Sequence, residues 1–431
     1  DGGARVEGDK VVIKATDNST NFNVAGASST GPDIAVGISV PVNFSTRLVY
    51  AGIGVGPDGT VLESEDNQVI DANTLTIEAN NSARDIAVGV AGARTKAAPP
   101  PGEQEEEDFD TGLAEFLSSD EEFDEWLKQK DIEAEQKKTE AAEKEAAGGA
   151  GNDAKTKTGW AVAGTAALNL SLGNTTLAEI ATRSLVNLNN SGAASVLASN
   201  SGISAASTGS LALGTNGEQD TRALAGAFSI VVDTRDVIAR VQSATLRAGS
   251  LSVKAQDDAL AVNIAIGGAG SNKGSVAVAG SVAVATLTGE TLSEISDAVL
   301  FTDALTLDAT DASLTIAIAG AAGINLDKEK GTGAGVAIAV NSVLRGAETR
   351  ITPDSYVQAG AFSAKASTSN DIFAFAISAA KGQKGFGGSL TVNTLSADAK
   401  VRIGGLTDED GNALPRLTVT ADKIDITVSE N

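Results

Sequence analysis

The chain contains no cysteine, histidine or methionine, and only 8 of its 431 residues are proline. Without cysteine and histidine it lacks the ligands of Cys/His zinc sites, the thiolates of iron–sulfur clusters and the base of a serine–histidine triad. Disulfides are excluded too, so cysteine usage says nothing about the redox compartment. Aromatic residues make up 3% of the chain, which leaves few platforms for stacking on sugars. We therefore expect a protein that is not an enzyme.

Charge is also one-sided, with 32 Lys and Arg against 56 Asp and Glu and a formal net charge of −24. Nucleic-acid binding depends on cations at phosphates, and anionic membrane surfaces attract basic segments. Asp1–Val6 has neither a basic region nor an apolar run, so we do not expect a signal peptide there. The longest uncharged stretch, 158–178, is too rich in Asn, Thr and Gly for a transmembrane helix. We expect no nucleic-acid partner and no membrane insertion.

One short pattern recurs along the chain: an apolar residue, Ser or Thr, a second apolar residue, any residue, and Ala. It begins at Leu75, Leu251, Leu305, Phe362 and Leu417, with weaker copies at Val11 and Ala194. From Ala194 onward the starts follow one another at nearly equal intervals. Three further segments follow each start in the same order, so the pattern predicts a tandem repeat of about 56 residues.

Apolar residues within these segments alternate with a period of two, which is the period of a strand. In the third segment Val276, Val278, Val282 and Val284 share one face, and Ala and Ser share the other. Neither face carries charge, so we expect layers on both, with valines in the core and small residues allowing close approach. Trp160 takes a valine position in an earlier copy, which predicts a core residue. The fourth segment puts a charge before an aliphatic, as in Glu179-Ile180, and should be half exposed.

Seven copies of one unit predict an all-β fold, an elongated β-solenoid or β-helix-like stack in which each unit buries its apolar edge on the next. The unit is about twice as long as a leucine-rich coil. Two alternatives stay open: each unit makes more than one turn, or its second and third segments form a hairpin. The predicted domains are 1–96 (repeat one and the start of two), an insertion at 97–157, and 158–431 (the remaining repeats).

The insertion occupies a single turn between the second and third segments of the second repeat. It opens on Pro99–Gly102, continues with acidic residues and then has the Glu, Lys, Ala and Leu content of a helix. We expect an α-helical arm, with helices near 111–118 and 120–146. Its apolar side chains either pack together or against the stack, or bind a partner; they are Phe116, Phe123, Trp126 and Leu127.

One acidic turn has the composition of a calcium loop. Asp408, Asp410 and Asn412 offer oxygen ligands, but the spacing and the final Glu of an EF-hand are missing. Asp, Gly and Asn also favour plain turns, which is the preferred interpretation. No nucleophile and base stand together in the sequence, so no catalytic residue and no cofactor other than this calcium candidate is predicted.

Three segments carry a family resemblance: Leu305-Thr-Leu-Asp-Ala309, Gly335–Val343 and Ala347–Ile351. They resemble the β-strand repeats of large secreted bacterial adhesins, the filamentous haemagglutinin-like and leukotoxin-family filamentous proteins. The resemblance implies an extracellular or cell-surface fibre segment that contacts host cells, neighbouring bacteria or matrix. It implies no catalytic motif, and the inserted arm departs from the simple repeat.

The first functional hypothesis is therefore a structural and adhesive segment of a bacterial surface fibre, which presents loops and an arm. Its partners would be other copies, neighbouring fibres, or a host or matrix surface. The alternative is a self-assembling filament or surface-layer subunit that docks laterally through the arm. A weaker alternative is a β-helix that binds or cleaves carbohydrate.

Overall fold

The structure is a computed structural model that describes residues 4–54, 68–96, 158–181, 184–215, 220–273, 276–327, 329–404 and 418–430. In these ranges every regular element is a strand, as the alternation of apolar residues predicts. No helix in the described ranges is long and apolar enough to cross a membrane. The part of the chain that the structure describes is therefore all-β, as expected.

The strands follow one another in passes that we call coils. The first coil contains β1 (Arg5–Asp17), β2 (Thr20–Gly31), β3 (Ile34–Ser39), β4 (Val42–Ser45) and β5 (Leu48–Ile53). The second and third contain β6 (Gln68–Asn81), β7 (Arg84–Thr95), β8 (Gly159–Ile180), β9 (Ser184–Asn200), β10 (Ile203–Gly214) and β11 (Thr221–Gln242). The fourth and fifth contain β12 (Thr245–Asp257), β13 (Leu260–Ser271), β14 (Val276–Ser296), β15 (Val299–Asp311), β16 (Leu314–Asn325) and β17 (Thr332–Ile351). The last strands are β18 (Tyr356–Thr368), β19 (Asp371–Lys381), β20 (Lys384–Ile403) and β21 (Thr418–Glu430).

Each coil from the second to the sixth gives one strand to each of three parallel sheets, and the first coil gives three short strands to the third of them. Sheet A has the order β1-β6-β9-β12-β15-β18-β21 and sheet B the order β2-β7-β10-β13-β16-β19. Sheet C has the order β3-β8-β11-β14-β17-β20, with β4 and β5 also paired to β8. Every strand pairs in parallel with its equivalents in the adjacent coils. The repeat-like stacking that the sequence predicts is therefore present.

Both alternatives for the single unit are wrong. One unit makes one turn, because its strands are long and pair only with neighbouring coils. No hairpin forms within the described residues, since all the pairs are parallel. The third and fourth segments of the sequence pattern are in fact one continuous strand of 20 to 22 residues in sheet C, as in β8 and β17.

The register of sheet A tests the proposed repeat starts. Leu75 pairs with Val11 and with Ala194, and Leu305 pairs with Leu251 and with Phe362, as predicted. The start at Leu417 is wrong, because Phe362 pairs with Ile424 instead. Residues 405–417 lie outside the described residues, and the strand after them carries a second apolar alternation, Ile424-Asp-Ile-Thr-Val428, that the repeat pattern does not include.

The stack is broad for its height. Seven strands of sheet A rise about 29 Å at about 4.8 Å per strand, while one of its 13-residue strands is about 43 Å long. The elongation expected from the sequence is therefore not present within this stretch. The reason is the size of the unit, since a coil of three long strands adds width much faster than height.

The cross-section has a thick lobe, formed by sheet A and the second half of sheet C. Its core holds the largest fully buried side chains, among them Leu75, Ile77, Leu251, Leu305 and Phe362. These are the apolar positions of the repeat starts. Ile180, Val241, Ile295 and Ile351 reach the same core from sheet C, as predicted for the fourth segment. The thick lobe is thus an ordinary aliphatic core with polar residues outside.

In the thin lobe, formed by sheet B and the first half of sheet C, the usual direction of burial is reversed, so that small side chains point inward and large ones point outward. Its principal buried cluster consists only of alanines, such as Ala265 and Ala279. The two sheets lie so close that a Cβ on Gly267 would come within 2.6 Å of the Gly280 carbonyl oxygen. The expectation that Val276, Val278, Val282 and Val284 fill a core is wrong, because they face outward on β14.

The side chain of Trp160 likewise faces outward and is only half-buried, with the Arg222 guanidinium 4.8 Å from the ring centroid. The prediction of a core tryptophan is therefore also wrong. The physical reason is common to this whole lobe: the narrow space between sheets B and C admits only small side chains, so large ones must take the outer face.

The predicted α-helical arm, 97–157, lies outside the described residues. Its flanks are described: β7 ends at Thr95 and β8 begins at Gly159. The segment therefore connects sheet B to sheet C, at the place where other coils have short turns.

Two adjacent residues of β14 test the inverted thin lobe. We expect Ala279→Val to destabilise the fold by about 1–3 kcal/mol, because Ala279 is buried between two sheets with no room for larger groups. Gly280→Val should be neutral or stabilising, because a Cβ on Gly280 meets nothing within 4 Å and valine favours strands. Urea unfolding of both variants makes the measurement. Equal losses would contradict the assignment of inner and outer faces.

Candidate functional site

The corner between sheets A and B, called the first corner, has the same length in all six coils. Two residues separate β1 from β2, β6 from β7, β9 from β10, β12 from β13, β15 from β16 and β18 from β19. Inter-coil hydrogen bonds continue through it, as from the Ser82 and Ser201 amides to the Asp17 and Asn81 carbonyls. The backbone hydrogen bonds between coils therefore continue from sheet A through the first corner into sheet B.

The residue before each first corner is Asp, Asn or Thr. They stand in one column of sheet A: Asp17, Asn81, Asn200, Asp257, Asp311 and Thr368. The side chains of Asp17, Asn81 and Asn200 accept hydrogen bonds from the amide two residues on, at 2.8 to 3.3 Å. Such local bonds favour a turn over continued strand. These residues explain where the sheet A strands end.

Arginines reach this corner from the middle of sheet C in alternate coils. Arg47, Arg235 and Arg345 hold one position in the first, third and fifth coils, and Asn174, Gly289 and Ala397 hold it in the second, fourth and sixth. Coils lie about 4.8 Å apart, so three guanidinium groups in successive coils would collide and repel. Gly289 has φ +134°, and a Cβ there would lie 1.7 Å from the Arg235 carbonyl oxygen. Glycine at 289 therefore allows the backbones of the third and fourth coils to approach closely beside Arg235.

The fifth-coil arginine joins two coils of the aspartate column. Arg345 donates to Asp311 at 2.6 Å and also to Asp257, and all three side chains are fully buried. Asn200 extends the chain of contacts by donating to Asp257 at 2.6 Å. Buried charges are stable only when they are paired and hydrogen-bonded. This group therefore connects three coils through side chains alone.

The other two arginines are also paired with aspartates, but with different ones. Arg235 donates to Asp233 at 3.0 Å and to the Gly202 carbonyl at 3.3 Å, within the first corner of its own coil. Arg47 forms two bonds to Asp85, at 2.5 and 2.7 Å, and its Nε lies 3.3 Å from Asp17. We call these arginines and their aspartates the arginine–aspartate column.

Carboxylates exceed guanidiniums in the deeper part of the column, where Arg235 and Arg345 face three aspartates. Burial raises the pKa of Asp311 to about 6, although Arg345 favours its charged form. Burial also lowers the pKa of Arg235 to about 10, which leaves it cationic at neutral pH. Burial alone would raise the pKa of Asp85 as well, but its bonds to Arg47 and to two serine hydroxyls lower that pKa overall. The carboxyl groups of the column therefore differ in proton affinity, since the pKa of Asp311 is raised and that of Asp85 is lowered.

A second column of charge runs on the outer side of sheet C. Glu179, Arg240, Glu294 and Arg350 occupy successive coils in register, so that signs alternate. Arg240 donates to Glu179, and Arg350 donates to Glu294, both at 2.7 Å. Opposite charges on directly paired residues stabilise a sheet. The predicted charges at Glu179, Arg240, Glu294 and Arg350 thus form an inter-coil ladder, although Glu179 and Glu294 are themselves buried rather than half exposed. Arg402, the next residue in register, pairs with Arg350 and ends the alternation of sign.

A shallow cavity of about 410 Å³ opens beside this ladder, lined among others by Glu290, Glu348, Asp398 and Lys400. Its charges pair with one another, as Lys400 does with Asp398 at 2.7 Å. Burial and nearby carboxylates raise the pKa of Glu290. Within the described residues no group of three or more His, Cys, Asp or Glu side chains is placed to hold a metal ion.

The other two corners vary widely in length. Those between sheets B and C include the short connections 32–33 after β2 and 215–220 after β10, and the long connection 96–158 after β7. Those between sheets C and A include the short turn 243–244 after β11, and the longer connections 54–67 after β5 and 404–417 after β20. In the part of the chain that the structure describes, neither corner has a column of Asp and Asn side chains like that of the first corner. Length variation is therefore confined to two corners of three.

The site residues predicted from sequence all lie outside the described residues. They are the arm residues Phe116, Phe123, Trp126 and Leu127, and the calcium candidates Asp408, Asp410 and Asn412. The arginine–aspartate column was missed, although it has a sequence signal: an Asp or Asn shortly after the repeat pattern, as in Leu305–Asp311. Comparisons with protein-family models, curated proteins and solved structures find no match to the chain.

Removal of one buried arginine tests the column. We expect Arg345→Ala to destabilise the fold by about 3–5 kcal/mol, because Asp257 and Asp311 lose their buried partner. The control is Lys14→Ala, which breaks the exposed pair with Glu78 and should cost at most about 1 kcal/mol. Urea denaturation followed by circular dichroism compares the two. Similar losses in both variants would show that the column does not hold the corner.

The raised pKa of Asp311 predicts a pH effect. Its folded pKa of about 6 exceeds the ordinary value of 3.8, so the folded state binds the proton more tightly than the unfolded state. Lowering the pH from 7 to 5 should therefore raise the unfolding free energy by about 1 kcal/mol through this group. In Asp311→Asn this increment should disappear. Glu290, whose pKa is also raised, contributes equally to the pH profiles of the wild type and the variant, so the difference between those profiles reports Asp311 alone. Parallel profiles would contradict the prediction.

Proposed function

We propose that the chain is a structural, adhesive and non-catalytic segment of an extracellular bacterial surface fibre. In this proposal the coils form a β-solenoid that serves as scaffold, and the long connections at the second and third corners make contacts. The observation that carries the proposal is the unequal variation of the corners. Two residues close every first corner, whereas the long connection 96–158 is accommodated between β7 and β8.

The same arrangement occurs wherever a rigid repeat displays variable loops. Loop-closure cost grows slowly with length, so a long surface connection changes the stability of its scaffold little. Per-repeat insertions in stacked proteins map to loops, which are frequently the binding regions. The connections 54–67, 96–158 and 404–417 are placed in this way, each between the end of one strand and the start of the next. Their position supports a role in contact; the sequences of all three supply acidic groups, and that of 96–158 supplies aromatic groups as well.

Support for a scaffold role comes from the bonds between coils. Backbone ladders run through all three sheets and through the first corner. The arginine–aspartate column and the Glu179–Arg350 ladder add side-chain links in the same direction. Asn169 donates to the Asp85 carbonyl at 2.6 Å and joins sheet C to sheet B. Such a stack resists local opening, because each coil is held by both neighbours.

Shortening a long connection tests the proposal. The chain is displayed on a non-adherent bacterium, and attachment to epithelial cells and to collagen- or fibronectin-coated surfaces is counted. Residues 97–157 are replaced by the short connection 272–275, which joins sheets B and C in the fourth coil. We expect attachment to fall several-fold with the unfolding midpoint unchanged, because the coils do not need the long connection.

Matched replacements of 55–67 and 405–417 by the two-residue turn Asp297-Ala298 complete the series. Attachment that survives all three replacements would contradict an adhesive role for the connections. Loss of copy-to-copy assembly without loss of attachment, on replacing 97–157, would favour the filament subunit that docks through its arm.

A further inference from the structure

Four rows of outward residues on sheet C in the thin lobe, all of them described by the structure, carry no polar side chain in any of six coils. Together they define the surface that we call the apolar face. Row one is Val36, Val162, Leu224, Val278, Ala334 and Phe386, and row two is Ile38, Gly164, Gly226, Gly280, Val336 and Gly388. Row three is Val40, Ala166, Phe228, Val282, Ile338 and Leu390, and row four is Val42, Leu168, Ile230, Val284, Val340 and Val392.

These side chains are open to solvent within the chain. Phe228 is 39% exposed and Val336 is 48% exposed, although both lie on inner strands of the sheet. Cβ atoms on Gly164, Gly226 and Gly280 would meet nothing within 4 Å. The outer face of sheet A is different, since its inner strands present Lys254, Asp308 and Thr306. The apolar character is therefore specific to the thin lobe.

The size of the apolar face is that of a protein interface. Strands lie about 4.8 Å apart and same-face residues about 6.6 Å apart, so four rows across six coils cover about 760 Å². The largest apolar patch on a typical monomer is about 300–600 Å². A stable interface between two proteins buries about 800 Å² on each partner. One partner of the same dimensions would therefore cover the face.

We propose that the apolar face pairs with the apolar face of a second copy of this chain. Two such faces match in area, and each lacks the charges that would oppose close contact. The net charge of −24 stays on the rest of each copy, so the copies can meet here without burying charge. Sheets packed face to face through aliphatic side chains form cores about 10 Å thick, which these valines, isoleucines and leucines would fill.

The outer face of sheet B is the nearest competitor within the molecule. It is apolar at Val88, Ile264 and Ile318, but Ser207 interrupts the same row. Charged residues Arg84 and Asp371 border it at one end. Ser207 and Ser28 thus interrupt the sheet B face, whereas the four rows of sheet C contain no polar side chain, so we assign the interface to sheet C.

Sedimentation velocity of the full chain, from about 1 to 100 µM, makes the test. The chain should sediment as a dimer at the upper concentrations. Val282→Glu places a charge at the centre of the apolar face and should weaken the dimer at least 100-fold, because two buried carboxylates would face each other. Thr306→Glu on sheet A and Ile264→Glu on sheet B add the same charge elsewhere and should leave the dimer unchanged.

A second variant separates a loss of dimerisation from a loss of folding. Val282→Thr keeps the shape and strand preference of valine, so circular dichroism should report an unchanged fold. Its hydroxyl would be buried without a partner in the dimer, which should weaken dimerisation about tenfold. If Val282→Glu fails to fold, this variant alone decides, and an unchanged dimer would overturn the proposal.

The same measurements distinguish a second copy of the chain from other occupants of the apolar face. A chain that is monomeric at every concentration overturns the proposal, and so does a dimer that Ile264→Glu dissociates while Val282→Glu leaves it intact. Binding of monomers to neutral phosphatidylcholine vesicles, lost in Val282→Glu, would assign the face to lipid instead. A dimer that forms only after replacement of 97–157 would assign it to that segment of the same chain. Neither loss of adhesion nor its retention in these variants bears on the dimer.

Discussion

In-register parallel stacking is the constraint on which this structure depends. Each residue lies about 4.8 Å from its equivalents in the coils above and below. Equivalent side chains of successive coils therefore form a column, and neighbours in that column must pack without steric clash or charge repulsion. Apolar columns satisfy this by packing, as from Leu251 through Leu305 to Phe362. Charged columns satisfy it by alternation, either of sign, as in Glu179 and Arg240, or of size, as in Arg235, Gly289 and Arg345. The same rule thus accounts for the core, the outer ladder and the buried column.

The two lobes solve burial in opposite ways, and the difference connects fold to function. In the thick lobe large side chains point inward and polar ones outward, which makes a self-sufficient core. In the thin lobe alanines fill the narrow space and the large side chains are left outside. The first supplies the stability of a scaffold, and the second leaves an apolar face for a partner. Between the two lobes the arginine–aspartate column fixes the first corner, and the connections that vary in length lie at the other two corners.

Much of this architecture was predictable from sequence. The period and the strand alternation indicated stacked β-strand units, because positions such as Leu75, Leu251 and Leu305 repeat in identity. Direction of burial was not predictable in the third segment, because neither face carries charge and alternation alone cannot say whether Val276 or Ala277 faces inward. The column was missed for another reason: its arginines recur only in alternate coils, so they are absent from any pattern that requires a feature in every repeat. The Leu417 start failed because a longer connection shifts the last strand by several residues.

Disulfide trapping across two coils tests the stacking most directly, since the chain has no cysteine of its own. Thr306 and Ser363 are paired in register on sheet A, which puts their Cα atoms about 4.8 Å apart, within the range of a disulfide. The pair Thr306→Cys with Lys365→Cys lies on the same face but out of register, with Cα atoms about 8 Å apart. Oxidation followed by peptide mass spectrometry should find the first crosslink in high yield and not the second. Equal yields, or the second crosslink alone, would contradict an in-register parallel stack.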